Sequence, residues 1–273
     1  MPTTPATLPQ MDSLTLEMRG ALAVATLAPP ARGNPFDGGF TRDFHALAAA
    51  LWDLAEAQAL RAVLLRAEGA NFCYGGDLKS FFPVREQLGP LVREWTGHLH
   101  MGLQRFWQLP VPVVCAVQGY AMGGGVALVA GADVVLAGEG ARFGSAFAQL
   151  GFSCDSGSSS TLTARMGPAR ARRFVLLAEV LTSAEALQAG LADRIVPDER
   201  LQAEALALAE RLAEGPTLAY GEIKRLFLRA GSAQLAAQLE DEALTLARVA
   251  ASADAREGVA AMVERRKPAF KGR

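Results

Sequence analysis

The segment from Val113 to Ala137 constrains the fold more than any other part of the chain. It opens with a short β-branched run over Val113–Val117, which is typical of a buried strand. Consecutive glycines at 123–125 then begin an apolar helix that we predict to end near Ala132, and a second buried run covers 134–137. A strand, a helix and a further strand in this order predict a parallel βαβ unit.

The glycines at 123–125 have two possible uses, and the segment alone leaves both open. Without a β-carbon they allow close packing around the start of a helix. They also leave the first helical amides, which have no intrahelical acceptor, free to hold a negative charge. The spacing GxGxxG of dinucleotide-binding turns and the GK[ST] of phosphate-binding loops are both absent from this segment.

A second glycine turn follows a strand that we predict at Ala62–Arg66. There Gly75-Gly76-Asp77 is expected to open a short helix with free amides. Upstream, Leu14–Leu27 has the pattern of a hairpin, and Phe40–Ala59 has the periodicity of an amphipathic helix. A longer helix is predicted over Leu91–Gln108. These alternating elements indicate an α/β domain.

From Ser183 onward the sequence is predominantly helical in pattern. The helices predicted there cover 184–189, 199–214, 217–230, 233–251 and 255–267, with a short extended link at 191–196. We therefore predict a flexible leader at 1–13, an α/β core at 14–200 and a C-terminal helical region at 201–273. The apolar faces of that helical region predict an oligomer.

Composition narrows the classes of partner. The net charge is −1, which argues against a nucleic-acid partner or an acidic membrane. The cysteines, Cys73, Cys115 and Cys154, have no metal-ligand spacing, and they favour a reduced cytoplasmic compartment over a disulfide framework. No apolar run is long enough for a membrane span, and the N-terminus lacks the pattern of a signal peptide.

Several motifs in a fixed order resemble the crotonase, or enoyl-CoA hydratase/isomerase, superfamily. They are NFCYGGDLKSF, PVPVVCAVQGYAMGGGVALVAGADVVLA, ARFGSAFAQLGF, EVLTSAEALQAGLADRIVP and REGVAAMVERRKPAF. The resemblance covers nearly the whole chain from Leu14. It implies an α/β fold, a crotonase-like spiral of ββα and βαβ units with a C-terminal helical trimerisation region. It also implies an acyl-CoA thioester as the substrate and a homotrimer or hexamer as the assembly.

By motif position, the resemblance implies an oxyanion hole made by the backbone amides of Gly76 and Gly124. In this superfamily two such amides hold the thioester oxygen as an enolate forms, and donors of this kind typically contribute about 3–4 kcal/mol each. The CoA-binding residues implied in the same way are Tyr74, Gly76, Leu78, Met262 and Arg265.

Hydratases of this superfamily carry two glutamates that handle the water, and this sequence has neither of them. The corresponding positions hold Ala127 and Phe147, and neither side chain can move a proton at neutral pH. The usual two-glutamate hydration is therefore not expected, and the protein would be an enoyl-CoA hydratase in name only. The resemblance instead places Ala127, Phe147 and Phe152 in the pocket for the acyl group.

Asp155 is the carboxylate left in this neighbourhood, where some members of the superfamily have a catalytic aspartate. An aspartate in an apolar acyl pocket would have a raised pKa, which suits proton transfer. From the residues alone, the N-cap of the following helix is another interpretation of Asp155. His100 falls where dehalogenases of the superfamily have a histidine, although a packed or solvated histidine fits the same pattern.

These residues together favour double-bond migration in an enoyl-CoA, with Asp155 as acid and base. A hydrolase or dehalogenase-like enzyme, with Asp155 as nucleophile and His100 activating water, is the first alternative. A CoA-thioester binder that has lost catalysis is the second. The favoured reaction needs no metal and no redox cofactor, because CoA belongs to the substrate and the thioester acidifies the neighbouring protons.

Overall fold

The computed structural model describes residues 8–231 and 235–273. The strands in these residues are β1 (Leu14–Arg19), β2 (Leu22–Leu27), β3 (Ala62–Ala67), β4 (Val113–Val117), β5 (Tyr120–Met122), β6 (Val134–Gly138), β7 (Arg142–Gly144), β8 (Val180–Thr182) and β9 (Arg194–Val196). The helices are α1 (Gly38–Glu56), α2 (Leu78–Phe81), α3 (Leu88–Trp107), α4 (Gly124–Ala130), α5 (Ser158–Met166), α6 (Pro168–Leu176), α7 (Ser183–Gln188), α8 (Leu201–Ala213), α9 (Thr217–Ala230), α10 (Leu235–Ala250) and α11 (Ala253–Glu264).

A six-stranded sheet in the order β1-β2-β3-β4-β6-β9 forms the centre of the fold. The β1–β2 pair is antiparallel, which confirms the predicted hairpin. The other pairs are parallel, and β4, α4 and β6 form the predicted βαβ unit. Every residue of β2 and β4 is buried, as expected for parallel strands covered on both faces.

Alternate residues of β4 point into two separate cores, one on each face of the sheet. Cys115 belongs to the larger core, which includes the aromatic side chains of α1 and α3. There the rings of Phe44 and Phe106 lie 5.3 Å apart. Val114 and Ala116 belong to the smaller core, which α8 covers. The sheet is thus held between α1 and α3 on one side and α8 on the other.

A smaller sheet in the order β5-β7-β8 is not predicted from the sequence. The bend predicted at Gln118–Tyr120 leads directly into β5, which pairs with β7 in parallel. Strands this short contain too few residues to show an alternating pattern. The link predicted at Leu191–Val196 contains β9, which pairs with β6 at the edge of the main sheet.

Helix α1 begins earlier than predicted because Asp37 caps it. The Asp37 carboxylate accepts a hydrogen bond from the Phe40 amide at 2.9 Å, which satisfies one amide of the first turn. Helix α4 ends at Ala130, slightly before the predicted end at Ala132, and α3 begins at Leu88, slightly before the predicted start at 91.

The leader predicted at 1–13 falls partly outside the described residues, and its described part lies against the domain. Leu8 and Met11 pack against the larger core. The amides of Asp12 and Ser13 donate to the Asp43 carboxylate at 3.0 and 2.9 Å. Residues 8–13 are therefore attached to α1 and are not a free extension.

The C-terminal region is helical, as predicted, from α8 to α11. The helix predicted at 233–251 corresponds to α10, although its first predicted residues lie outside the described part of the chain. Large apolar side chains are exposed on α9, α10 and α11: Ile223, Phe227, Leu228, Leu239, Leu244, Leu246, Val259, Met262 and Val263. None of the helices in the described residues is long and apolar enough to cross a membrane.

Candidate active site

A short parallel contact joins the two glycine-rich segments of the chain. Cys73 lies opposite Ala121, and the Met122 amide donates to the Cys73 carbonyl at 2.9 Å. Gly76 and Gly124 each lie three residues beyond this contact, on the two neighbouring segments.

Gly75 and Gly123 make this close approach possible. Their φ angles, +79° and +53°, lie in the left-handed region that favours glycine. A β-carbon at Gly75 would lie 2.7 Å from the Met122 carbonyl oxygen, which is too close for any side chain. Gly75 is therefore required by close packing and by its φ angle, whereas Gly123 is favoured by its φ angle alone, since a β-carbon there would have its nearest neighbour at 3.7 Å.

The amides of Gly76 and Gly124 are available to a ligand. Gly124 is the first residue of α4, so its amide has no intrahelical acceptor. Neither amide donates to another group in the described part of the chain. Both glycines line one cavity, which has a volume of about 590 Å³.

Asp155 lies in the loop before α5 and lines the same cavity. Burial raises the pKa of this half-buried carboxylate, and a hydrogen bond from Ser156 Oγ to Asp155 Oδ1, at 3.0 Å, opposes that rise. Among the described residues that line the cavity, Asp155 is the only carboxylate. One carboxyl group therefore shares the cavity with Gly76 and Gly124.

Asp155 is not the N-cap of α5, so that interpretation of the sequence is wrong. The helix begins at Ser158, and its N-cap is Gly157, with a φ of +69°. Asp155 contributes only its backbone carbonyl, which accepts from the Ser158 amide at 2.9 Å. The carboxylate therefore does not cap the helix, and it lines the cavity instead.

Ser156 lies between Asp155 and the turn at Gly124. Its side chain is buried, and a β-carbon at Gly124 would lie 3.0 Å from the Ser156 Oγ. The φ angle of Ser156, +52°, is uncommon for a residue other than glycine and typically costs on the order of 1–3 kcal/mol. The Ser156 hydroxyl therefore donates to the Asp155 carboxylate and also lies close to the backbone at Gly124.

His100 lies on α3 beside this loop, but it does not line the cavity. Its Nε2 accepts a hydrogen bond from the Ser156 amide at 3.3 Å, which requires that nitrogen to be unprotonated. The residue is otherwise exposed. His100 therefore binds the Ser156 backbone, and the lone pair of its Nε2 is engaged in that hydrogen bond.

Two of the three residues predicted for the acyl pocket line the cavity. These are Phe147, which is buried, and Phe152, which is 39% exposed. Ala127 does not line it and is corrected here: it lies inside α4, fully buried, with its carbonyl 3.4 Å from Thr161 Oγ1.

The residues predicted to bind CoA fall into two groups. Tyr74 and Leu78 line the cavity and are about half exposed, and the Tyr74 ring lies 5.7 Å from the ring of Tyr120. Met262 and Arg265, at the end of α11, are exposed and do not line the cavity of their own chain. Their part in CoA binding stays a prediction that requires a neighbouring subunit.

Sequence reasoning missed the wall that α3 forms. Leu88, Val92, Trp95 and Leu99 line the cavity and recur at the spacing of one helical face. Phe81, at the end of α2, lies beside Trp95, with ring centroids 5.7 Å apart. The helical spacing of these apolar residues is visible in the sequence, but it does not say whether the face meets a core or a cavity.

Comparison with known proteins gives the family of this chain. The family described as enoyl-CoA hydratase/isomerase matches residues 17–273. A probable enoyl-CoA hydratase of Rhodobacter capsulatus is 38% identical over 94% of this chain and 97% of its own. The 1,2-epoxyphenylacetyl-CoA isomerase of Escherichia coli is 34% identical over 96% and 100%. The crystal structure of an enoyl-CoA hydratase from Polaromonas superposes with a TM-score of 0.87 at 27% identity, over 94% of this chain and 99% of that one. The predicted crotonase-like fold is confirmed, and the chain belongs to the enoyl-CoA hydratase/isomerase family.

Proposed function

We propose that this protein moves a carbon–carbon double bond within the acyl group of an enoyl-CoA. The amides of Gly76 and Gly124 hold the thioester oxygen, and Asp155 takes a proton from one carbon and returns it to another. The observation that carries the proposal is that Asp155 is the only carboxylate among the described cavity-lining residues.

The reaction follows from the position of these groups. When a proton leaves the α or γ carbon, the electron pair delocalises through the double bond to the thioester oxygen, where the two amides stabilise it. The proton moves to Asp155 and is then given to the other end of the dienolate, so the product has the composition of the substrate. A carboxyl whose pKa is raised by burial is suited to both steps, because it accepts and releases a proton more evenly near neutral pH. CoA enters as part of the substrate, and the steps use no metal or redox cofactor.

Hydration by the two-glutamate route is less well supported, although relatives carry the name hydratase. At one of the two positions Phe147 presents a hydrocarbon ring to the cavity, and at the other Ala127 lies outside it. The relative named as an isomerase is 34% identical to this chain, between two probable hydratases at 38% and 32%, so the identities do not separate the two names.

A nucleophilic role for Asp155 with His100 as the base is also less well supported. The His100 Nε2 that lies nearest to the loop already accepts a hydrogen bond from the Ser156 amide. Activating a water there would first require this bond to break. A CoA-thioester binder without catalysis remains as the outcome in which none of these reactions is observed.

The test is incubation of the protein with unsaturated acyl-CoA thioesters in heavy water, followed by mass spectrometry of the thioesters. We expect a product with a displaced double bond that differs in composition from the substrate only by deuterium in place of hydrogen at the α or γ carbon. A product that has gained one water would show a hydratase instead. Release of free CoA, or an acyl group attached to Asp155, would show hydrolytic or nucleophilic chemistry.

A further inference from the structure

Each of the two oxyanion glycines has an aromatic ring directly against it. A β-carbon at Gly124 would lie 2.7 Å from Phe36 Cδ2, and one at Gly76 would lie 3.1 Å from Phe81 Cε2. Both rings line the cavity. A group bound in the cavity beside these glycines therefore meets flat hydrocarbon surfaces.

The aromatic surface continues away from the glycines. The Phe81 ring lies 5.7 Å from Trp95, at an angle of 42°, and 6.5 Å from Phe152, at an angle of 57°. These are the distances and tilted arrangements that aromatic pairs prefer. None of the three side chains is fully buried, so parts of their rings are left uncovered in the cavity. A substrate ring placed against the uncovered parts of these side chains would make further aromatic contacts of this kind.

The same cavity has little to offer an ionised acyl group. Among the described residues that line it, none is a lysine, arginine or histidine. The hydroxyls of Thr41, Thr96 and Ser145 are already directed at backbone carbonyls, at 3.1, 2.7 and 3.2 Å. Tyr74, Gln149 and Ser153 also line the cavity and can offer neutral hydrogen bonds. A second carboxylate brought into this space would lose its hydration without gaining a cationic partner, and it would also be repelled by Asp155.

From these contacts we infer that the acyl group of the substrate carries a hydrocarbon ring, aromatic or alicyclic, and no ionised group. The inference rests on the proposed acyl-CoA site, and it deepens that proposal by naming the substrate class. Phe81 and Trp95 are the residues that determine this specificity, since they form the part of the ring wall that leads away from Gly76.

The experiment compares the binding of three thioesters by calorimetry: phenylacetyl-CoA, octanoyl-CoA and suberyl-CoA. Their acyl groups have the same number of carbons, and none contains a double bond that could migrate along the chain. We expect phenylacetyl-CoA to bind about tenfold more tightly than octanoyl-CoA, which is the combined size expected for two ring contacts. Suberyl-CoA should bind at least about tenfold more weakly than octanoyl-CoA, because its carboxylate is buried without a cationic partner.

Leucine substitutions supply the matched controls. Phe81→Leu and, separately, Trp95→Leu keep the apolar surface but remove a ring, so each should reduce the preference for phenylacetyl-CoA to about threefold or less. Phe82→Leu should leave it unchanged, because Phe82 is exposed, does not line the cavity and instead has Arg85 over its ring at 4.7 Å. Equal binding of phenylacetyl-CoA and octanoyl-CoA by the unsubstituted protein, or a preference that survives both ring deletions, would overturn the inference, as would binding of none of the thioesters. If the ranking holds but no enoyl-CoA is isomerised, the proposed reaction fails while the substrate class stands.

Discussion

Replacing Asp155 with asparagine separates proton transfer from every other property of the site. The two side chains are nearly equal in size, and an amide cannot act as a base near neutral pH. General acid–base catalysis typically contributes about 10²–10⁴ in rate, so Asp155→Asn should lower the rate of double-bond migration by this factor. In free energy this is a rise of about 3–5 kcal/mol in the activation barrier. Binding of saturated acyl-CoA thioesters should not change.

The structure also gives the direction of the effect of Asp155→Asn on stability. Asp155 caps no helix. Its carboxylate accepts a hydrogen bond from Ser156 Oγ, and the side-chain oxygen of an asparagine can accept the same bond. Burial raises the pKa of Asp155 in the folded protein above its ordinary value of 3.8. As the pH rises above that value, the unfolded chain ionises first, and wild-type stability falls until the folded pKa is passed. The asparagine variant lacks this loss, so at pH 7 it should be at least as stable as wild type, and the difference should close below about pH 4.

The assay is deuterium incorporation into an unsaturated acyl-CoA in heavy water, measured by mass spectrometry beside urea unfolding at both pH values. Asp53→Asn makes the same chemical change at an exposed position on α1 and should match wild type in both measurements. Full exchange by Asp155→Asn would refute the assignment of the base. A variant that is clearly less stable than wild type at pH 7 would refute the account of how burial acts on this carboxylate.

Four further outcomes are expected. Ser156→Gly should be more stable than Ser156→Ala by about 1 kcal/mol in urea unfolding, because only glycine relieves the positive φ. Gly124→Ala should lower kcat/KM more than Gly76→Ala. The β-carbon added at Gly124 would lie 2.7 Å from the Phe36 ring, whereas the one added at Gly76 would lie 3.1 Å from the Phe81 ring. Arg265→Glu should weaken binding of CoA thioesters, and the effect should shrink as salt is raised, because the phosphates of CoA are anionic; unchanged affinity at low salt would remove Arg265 from the site. Light scattering should give the mass of a trimer or a dimer of trimers, and a monomer mass at micromolar concentration would contradict the role proposed for the exposed apolar faces of α9–α11.

The elements that could be predicted from the sequence are those with a strong local signal. The buried runs that form β3, β4 and β6 and the amphipathic pattern of α1 depend on neighbouring residues, and their positions are close to those predicted. The parallel contact of Cys73 with Ala121, which brings the two glycine segments together, depends on residues far apart in the chain, and only the family resemblance implied that the two segments share a site. The strands of the second sheet are too short for their pattern to be distinguished from a turn.

The N-cap interpretation of Asp155 shows a second limit of prediction from local sequence. An aspartate shortly before a helix has the local pattern of an N-cap, and the pattern would be correct if α5 began earlier. Instead, positive φ angles at Ser156 and Gly157 delay the helix until Ser158, so the carboxylate is left in the cavity. Nothing in the local sequence distinguishes these outcomes, because the conformation of Ser156 is held by a histidine far away in the chain, on α3.

The departures from the hydratase pattern and the aromatic wall act in the same direction. Phe147 in place of a glutamate removes a proton carrier and also adds a hydrocarbon surface to the cavity. A less polar cavity holds less water, which hydration would need, and it raises the pKa of the carboxylate that remains. A ring bound against Phe81 and Trp95 would exclude water further and strengthen the interaction of the glycine amides with the developing enolate. Moving a proton within the acyl group requires only one carboxylate and no water, so each of these changes favours migration of the double bond over addition of water.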